Sequence, residues 1–203
     1  MSENKVKVIY GPYGYLIGPE DLVSYMEQNS YDSDGQTNRV TLMFKRNQLL
    51  YDIENIAYVE GDVQQKASDN DHAPHQTQDI GQDGNVDRVT RILDLVHAWC
   101  VEMLYPYTKD ACEDGMELDD EFKEEKVYTI VMNVPRKFSK TTANLLEKLI
   151  HEFMVARVLA EWFCTTKPAA AEIWGAKSEG YLEKAKDIIN TRMGATTRPL
   201  RPF

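Results

Sequence analysis

Hydrophobic and polar positions change their period several times along the 203-residue chain. Lys5-Val6-Lys7-Val8-Ile9-Tyr10 alternates, which predicts a half-buried strand, and Gly11-Pro12-Tyr13-Gly14 breaks it. Gly18-Pro19-Glu20-Asp21 opens a short helix to about Asn29, since proline suits a first helical turn and acids suit its positive end. After a turn at Tyr31-Asp32-Ser33-Asp34-Gly35 come two β-rich runs, Arg39 to Lys45 and Leu49 to Glu60. Their short polar connection, Arg46-Asn47-Gln48, predicts a hairpin.

From Asn85 to about Tyr105 the period becomes helical. Val86, Val89, Leu93, Val96, Cys100 and Met103 form one stripe, Ile92, Leu95 and Trp99 widen it, and Pro106 ends it. Lys126 to Val134 reads as a strand stopped by Pro135, able to pair with the N-terminal hairpin and so join the two regions. Ser139 or Thr141 can cap the next helix, which runs to about Thr165. Nine of the eleven positions from 153 to 163 are apolar. A helix greasy on most sides is central in a bundle or in an assembly. Burial of each large apolar group is worth about 1.5–3 kcal/mol, so this helix should dominate stability. Phe153, Val158, Trp162 and Phe163, with Trp174 on the following helix, are therefore the candidates for core or ring packing. Thr166-Lys167-Pro168 is too short for anything but an antiparallel hairpin with a last helix from about Ala169 to Met193, ended by Gly194. Beyond it, Pro199 and Pro202 block helix and leave an extended basic arm.

The pattern predicts an α+β fold: a mainly α-helical C-terminal bundle with a small N-terminal β element and one inserted strand. The divisions are a β-rich element over 1–60, an acidic linker over 61–85, a helical domain over 86–193 with the strand inserted at 127–134, and the arm over 194–203.

Charge sharpens this picture. The chain carries 23 Lys+Arg against 33 Asp+Glu, a formal −10. Such a surface argues against a general duplex binder, which works through cationic contacts to phosphates. The acids concentrate in two stretches, Glu60 to Asp87 at −6 and Asp110 to Lys126 at −7. The first has almost no large apolar group, so it orders only by docking on something else. Positive charge gathers at the end in Arg192, Arg198 and Arg201. With Pro199, Leu200, Pro202 and Phe203 these make an arm suited to a neighbour's groove: arginine pairs with carboxylates, proline reduces the entropy lost on ordering, and phenylalanine anchors. The competing reading is a frayed tail. No run of apolar residues is long enough for a transmembrane helix, and MSENKVKVIYG lacks an apolar stretch of signal-peptide length. Cys100, Cys112 and Cys164 are scattered and odd in number, which fits free thiols in a reducing compartment.

Catalytic motifs are sparse. His72 and His75 lie near Asp69, Asp71 and Asp79 and could clip a divalent metal, but with no Cys or third His nearby a solvated polar loop is the simpler reading. His97 and Cys100 share a helix, but Cys100 belongs to the apolar stripe. His151-Glu152 starts a zinc-protease pattern that fails at Val155. Asp83-Gly84-Asn85-Val86-Asp87 resembles part of a calcium loop, yet Thr90 stands where the closing Glu belongs. Gly11-Pro12-Tyr13-Gly14-Tyr15 lacks the Lys-Ser/Thr of a phosphate loop. The acid pairs Asp119-Asp120 and Glu124-Glu125 read as a solvated face. The expectation is no catalytic residue, no metal and no cofactor.

Residues Leu145 to Phe203, with the helix EFMVARVLAEWF, the connection TTKPAAAEIW, the ending EKAKDIINTRM and the arm RPLRPF, resemble phage head–tail connector proteins. The likeness is to adaptor or neck-ring proteins of phages and prophages of Bacteroides-type bacteria, and it extends over the chain from Asn85 onward. It implies a virion structural protein at the neck, made in the host bacterial cytoplasm. Such a protein forms a ring, commonly a dodecamer, and contacts the portal through its C-terminal arm. It also contacts other neck or tail proteins, and genomic DNA passes through it without sequence-specific binding. Acidic loops lining the channel would keep DNA from adhering. Three other readings stand beside it: a small metal-dependent enzyme using His72 and His75, a monomeric acidic interaction module, and a tail-completion or minor capsid protein.

Overall fold

The computed structural model describes residues 37–65, 73–105, 107–110, 115–117, 124–136 and 138–191. The strand, turn and short helix expected before residue 36 lie outside the described residues.

Strand β1 (Thr37–Lys45) pairs antiparallel with β2 (Val127–Pro135) from Thr37↔Pro135 to Lys45↔Val127. Both obey a period of two: Leu42 and Phe44 on β1, and Tyr128, Ile130, Met132 and Val134 on β2, point into the core. The backbone N–H of Arg46 donates to the Lys126 carbonyl at 3.1 Å, which extends the pairing to the point where β1 ends. The predicted inserted strand and its joining of the two regions are thus present, in a two-stranded ribbon.

The second predicted strand is not. Lys45 passes directly into helix α1 (Arg46–Gln65), and Arg46-Asn47-Gln48 is its first turn rather than a hairpin turn. The period decides. Arg46, Leu49, Ile53, Ala57 and Gly61 are buried at helical spacing. The tyrosines and valines that make 49–60 look β-rich (Tyr51, Tyr58, Val59) stand on the opposite, exposed face. Tertiary burial at period 3.6 outweighs intrinsic β-propensity.

The acidic stretch is also ordered where it is described. Residues 61–65 finish α1, α2 spans Ala73–Gln78, a 3₁₀ turn spans Asp79–Gly81, and α3 (Asp83–Met103) starts two residues before the predicted Asn85. Thr77 and Ile80 are its buried anchors. On α3 the inner stripe is Val89, Leu93, Val96 and Cys100, joined by Thr90.

Helix α4 (Lys140–Thr166) follows Ser139, whose carbonyl accepts the Ala143 N–H at 3.1 Å while its side chain makes no capping bond. Lys167 alone separates α4 from α5 (Pro168–Thr191), and the two pack along each other as the predicted antiparallel hairpin, with Pro168 at the first helical position. α4 is central: α1, α2, α3, α5 and β1 all pack on it, and one apolar core runs from Leu42 to Ile189. Among the described residues the fold is α+β, mainly helical, with one small antiparallel ribbon. No helix among the described residues is long and apolar enough to cross a membrane.

Candidate interaction surface

Phe153, Val158, Trp162 and Phe163 are buried inside the single chain and Trp174 is half-buried. The greasy circumference of α4 is therefore closed by the chain's own helices and does not wait for a neighbouring subunit. Trp162 also carries polar work. Its indole N–H donates to the Thr77 carbonyl at 3.2 Å, and the Arg88 guanidinium lies 5.5 Å from its ring centroid. This pins α2, from the acidic stretch, onto α4. Trp99 is exposed, with Arg157 lying 5.2 Å from its ring centroid. The arm, Arg192 to Phe203, lies outside the described residues, as do His72, Cys112 and Asp119-Asp120. His75 is exposed on α2, and among the described residues no group of three His, Cys, Asp or Glu is placed to hold a metal ion.

Sequence reasoning missed three polar clusters, each joining elements distant in the chain. His151 Nε2 lies 2.9 Å from Asp52 Oδ2, and the Gln48 amide donates to both Asp52 oxygens, so α1 is tied to α4. One turn before His151, burial pushes the Glu147 carboxyl above its usual range, against the opposing charge of Lys148. Arg46, buried at the ribbon's end, donates to Thr90 Oγ1 at 2.7 Å and pairs with Glu124. Beside it the Tyr128 hydroxyl donates to Asp94 at 2.7 Å; burial first, and then this acceptor and its charge, raise the phenol's pKa. His97 Nε2 lies 2.9 Å from the Thr129 carbonyl, and burial lowers its pKa below 6.5.

The third cluster closes the end of the α4–α5 hairpin onto α1. Lys167 Nζ donates to Glu60 Oε2 at 2.7 Å and to the Glu60 carbonyl at 3.2 Å, and the Trp174 indole N–H donates to Glu60 Oε1 at 3.3 Å. Burial pushes the Glu60 carboxyl up, but the bond and charge of Lys167, the indole donor and Lys177 together hold it below its ordinary value. Lys177 also lies 3.7 Å from the Trp174 ring centroid.

One exposed surface among the described residues is built on the outer face of α1. Tyr51 and Tyr58 stand seven residues apart, two full turns, and each is 62% exposed. Val59 and Val63 flank them, also exposed. Facing these tyrosines, Gln78, Asp79, Gly81 and Gln82 form the second wall of a groove of about 410 Å³ whose first wall is Tyr51, Glu54, Asn55 and Tyr58. The groove has a defined shape. Gln78 donates to the Tyr58 carbonyl at 3.3 Å, Gln82 to Asp79 Oδ1 at 2.7 Å, and Asn85 to the Asp79 carbonyl at 2.8 Å. Gly81 permits the close approach of the walls: a Cβ there would sit 2.6 Å from the Glu54 carboxyl carbon. The lining holds two acids and no base. Among the described residues the Glu54 carboxylate and both tyrosine hydroxyls have no hydrogen-bond or ion-pair partner. A second exposed apolar patch, Leu95 with Trp99, lies on the outside of α3.

Chemically, these clusters are cross-braces: each links two or more elements distant in the chain. The groove is different, because its two tyrosines and Glu54 are exposed. The period of α1 was the signal that could have found it. Once 46–65 is read as a helix, Tyr51, Asn55, Tyr58 and Asp62 fall on one face opposite Leu49, Ile53 and Ala57. Comparison with known protein families, curated proteins and solved structures finds no match to this chain.

Proposed function

We propose that this protein is a non-catalytic assembly subunit, a ring-forming component of a phage head–tail connector that sits between portal and tail and lets DNA pass. The observation that carries this reading is that two unlike apolar surfaces are exposed among the described residues. One is Tyr51, Tyr58, Val59 and Val63 on α1, and the other is Leu95 with Trp99 on α3. Head-to-tail contacts need two different surfaces per subunit, and rotation that closes turns them into a ring rather than a filament. Apolar groups that cluster into a contiguous exposed patch mark places where another protein can sit. The resemblance of residues 145–203 to connector proteins supplies the setting, and the net −10 suits a passage that duplex DNA must not adhere to. Contact of Arg192 to Phe203 with the portal or with a neighbouring subunit, contact with neighbouring neck or tail proteins, and location in the virion belong to the same proposal. The test is electron microscopy of the purified chain mixed with portal protein. Rings seated on the portal are expected. A persistent monomer at high concentration, with portal present, would refute the reading.

A further inference from the structure

We infer that the groove between α1 and the 78–82 segment is the receptor for the Arg198–Phe203 segment of a second copy of this chain. The inference rests on the ring reading for the presence of that second copy. It starts from the repeat of the segment, Arg198-Pro199-Leu200-Arg201-Pro202-Phe203. Arginine, proline and a large apolar residue each recur at a spacing of three. A polyproline II helix has 3 residues per turn, so in that conformation the segment shows one edge of two arginines, one of two prolines and one of Leu200 with Phe203.

The groove matches these edges in chemistry and in length. Proline-rich segments of this spacing dock on aromatic-lined grooves, because a stiff extended ligand loses little entropy and its flat rings stack on aromatic faces. Tyr51 and Tyr58 supply those faces, both exposed and both with unpartnered hydroxyls. Seven residues of α-helix advance about 10.5 Å. Three residues of polyproline II advance about 9.3 Å. Consecutive prolines on one edge therefore meet consecutive tyrosines. Charge agrees as well. Between the tyrosines Glu54 presents a carboxylate unpaired among the described residues, with Asp79 on the facing wall, and the lining has no base. Residues 192–203 carry three arginines and no acid in a chain of net charge −10. Arginine is the cation whose planar fork suits a carboxylate. Groove and segment are different surfaces of one chain, so their pairing between copies is head-to-tail.

The test uses two full-length variants with undamaged cores: a groove variant, Tyr51→Ala with Tyr58→Ala, and a segment variant, Arg198→Glu with Arg201→Glu. Association is read by sedimentation velocity over a concentration series. The wild-type chain is expected to self-associate, and each variant alone at least about tenfold more weakly. An equimolar mixture of the two should form one-to-one heterodimers, since it contains one intact groove and one intact segment per pair. A mixture as dissociated as its parents, or a variant that associates like wild type, overturns the inference. The connector reading fails separately. If both variants still form rings on the portal, that reading stands and the groove assignment falls. If the heterodimer forms and no chain engages the portal, the groove assignment stands without it.

Discussion

Replacing Trp162 by Phe probes how the acidic stretch is held. The indole is 4% exposed, its N–H donates to the Thr77 carbonyl at 3.2 Å, and Arg88 lies against its ring. Phenylalanine keeps a six-membered ring in place but removes the donor and part of the buried surface. Loss of the hydrogen bond costs about 1 kcal/mol. Lost contacts and the small cavity add about 1–2 kcal/mol, less than the roughly 3–5 of a full truncation to alanine. The sum, about 2–3 kcal/mol, is a large part of a typical domain stability of about 5–15 kcal/mol and lowers Tm by roughly 4–12 °C for a chain of this size. The cost should be concentrated locally, because the bond joins α4 to α2, a six-residue helix whose remaining packing is chiefly on α1. Hydrogen exchange of the amides of residues 77–82 should accelerate roughly 30- to 150-fold, the equivalent of that free energy. Urea unfolding followed by far-UV circular dichroism measures the global part. If the urea midpoint and the exchange of 77–82 both stay at wild-type values, the acidic stretch is not fastened through Trp162 and the argument is wrong.

Three further outcomes are expected. In the native protein iodoacetamide should modify exposed Cys164 and spare Cys100, whose thiol is buried and pushed up to about 12, until denaturant is added; peptide mapping distinguishes the sites. Lys167→Met should cost about 1–2 kcal/mol at neutral pH, because it leaves the Glu60 carboxylate half-buried without its cation. Since the wild-type Glu60 pKa is held below 4.5, its contribution is present above that pH and is lost as pH falls through the lowered value; thermal melts of the two proteins should converge there. Glu147→Gln should raise Tm at neutral pH. The wild-type carboxyl is raised by burial, so its ionisation opposes folding as pH rises through that raised value, and the advantage of the glutamine should shrink in acid; a melt series from pH 4 to 8 reads both signs.

How far the fold was legible depends on whether a local pattern pointed the same way as its surroundings. The stripe Val89-Leu93-Val96-Cys100 and the apolar run of 153–163 are strong helical periods that burial reinforces, and the single-residue connection at Lys167 leaves α4 and α5 only one way to fold back. The strand at 127–135 was legible for the same reason: alternation matched by a buried face. The misread strand at 49–60 shows the opposite case. Its β-favouring tyrosines and valine stand in solvent, where they decide nothing, while Leu49, Ile53 and Ala57, fewer and plainer, face the core and set the helix. The acidic stretch has a composition that promises no core of its own; two buried residues, Thr77 and Ile80, suffice when α1, α3 and α4 offer the segment a place to pack.

The sequence by itself determined the helical hairpin of α4 and α5, the apolar stripe of α3, the inserted strand, and the overall balance of an acidic chain with a basic, proline-punctuated end. Each follows from spacing between near neighbours, which any conformation of that segment must respect. Only the tertiary structure decided that the greasy helix is sealed within one chain, that Asp52 meets His151 and Glu60 meets Lys167, and that Tyr51 and Tyr58 line an open acidic groove. Those facts join residues 99 and 107 positions apart, or turn on which of two possible faces a helix buries. Such choices are made by the packing of all the elements at once, and no local period encodes them.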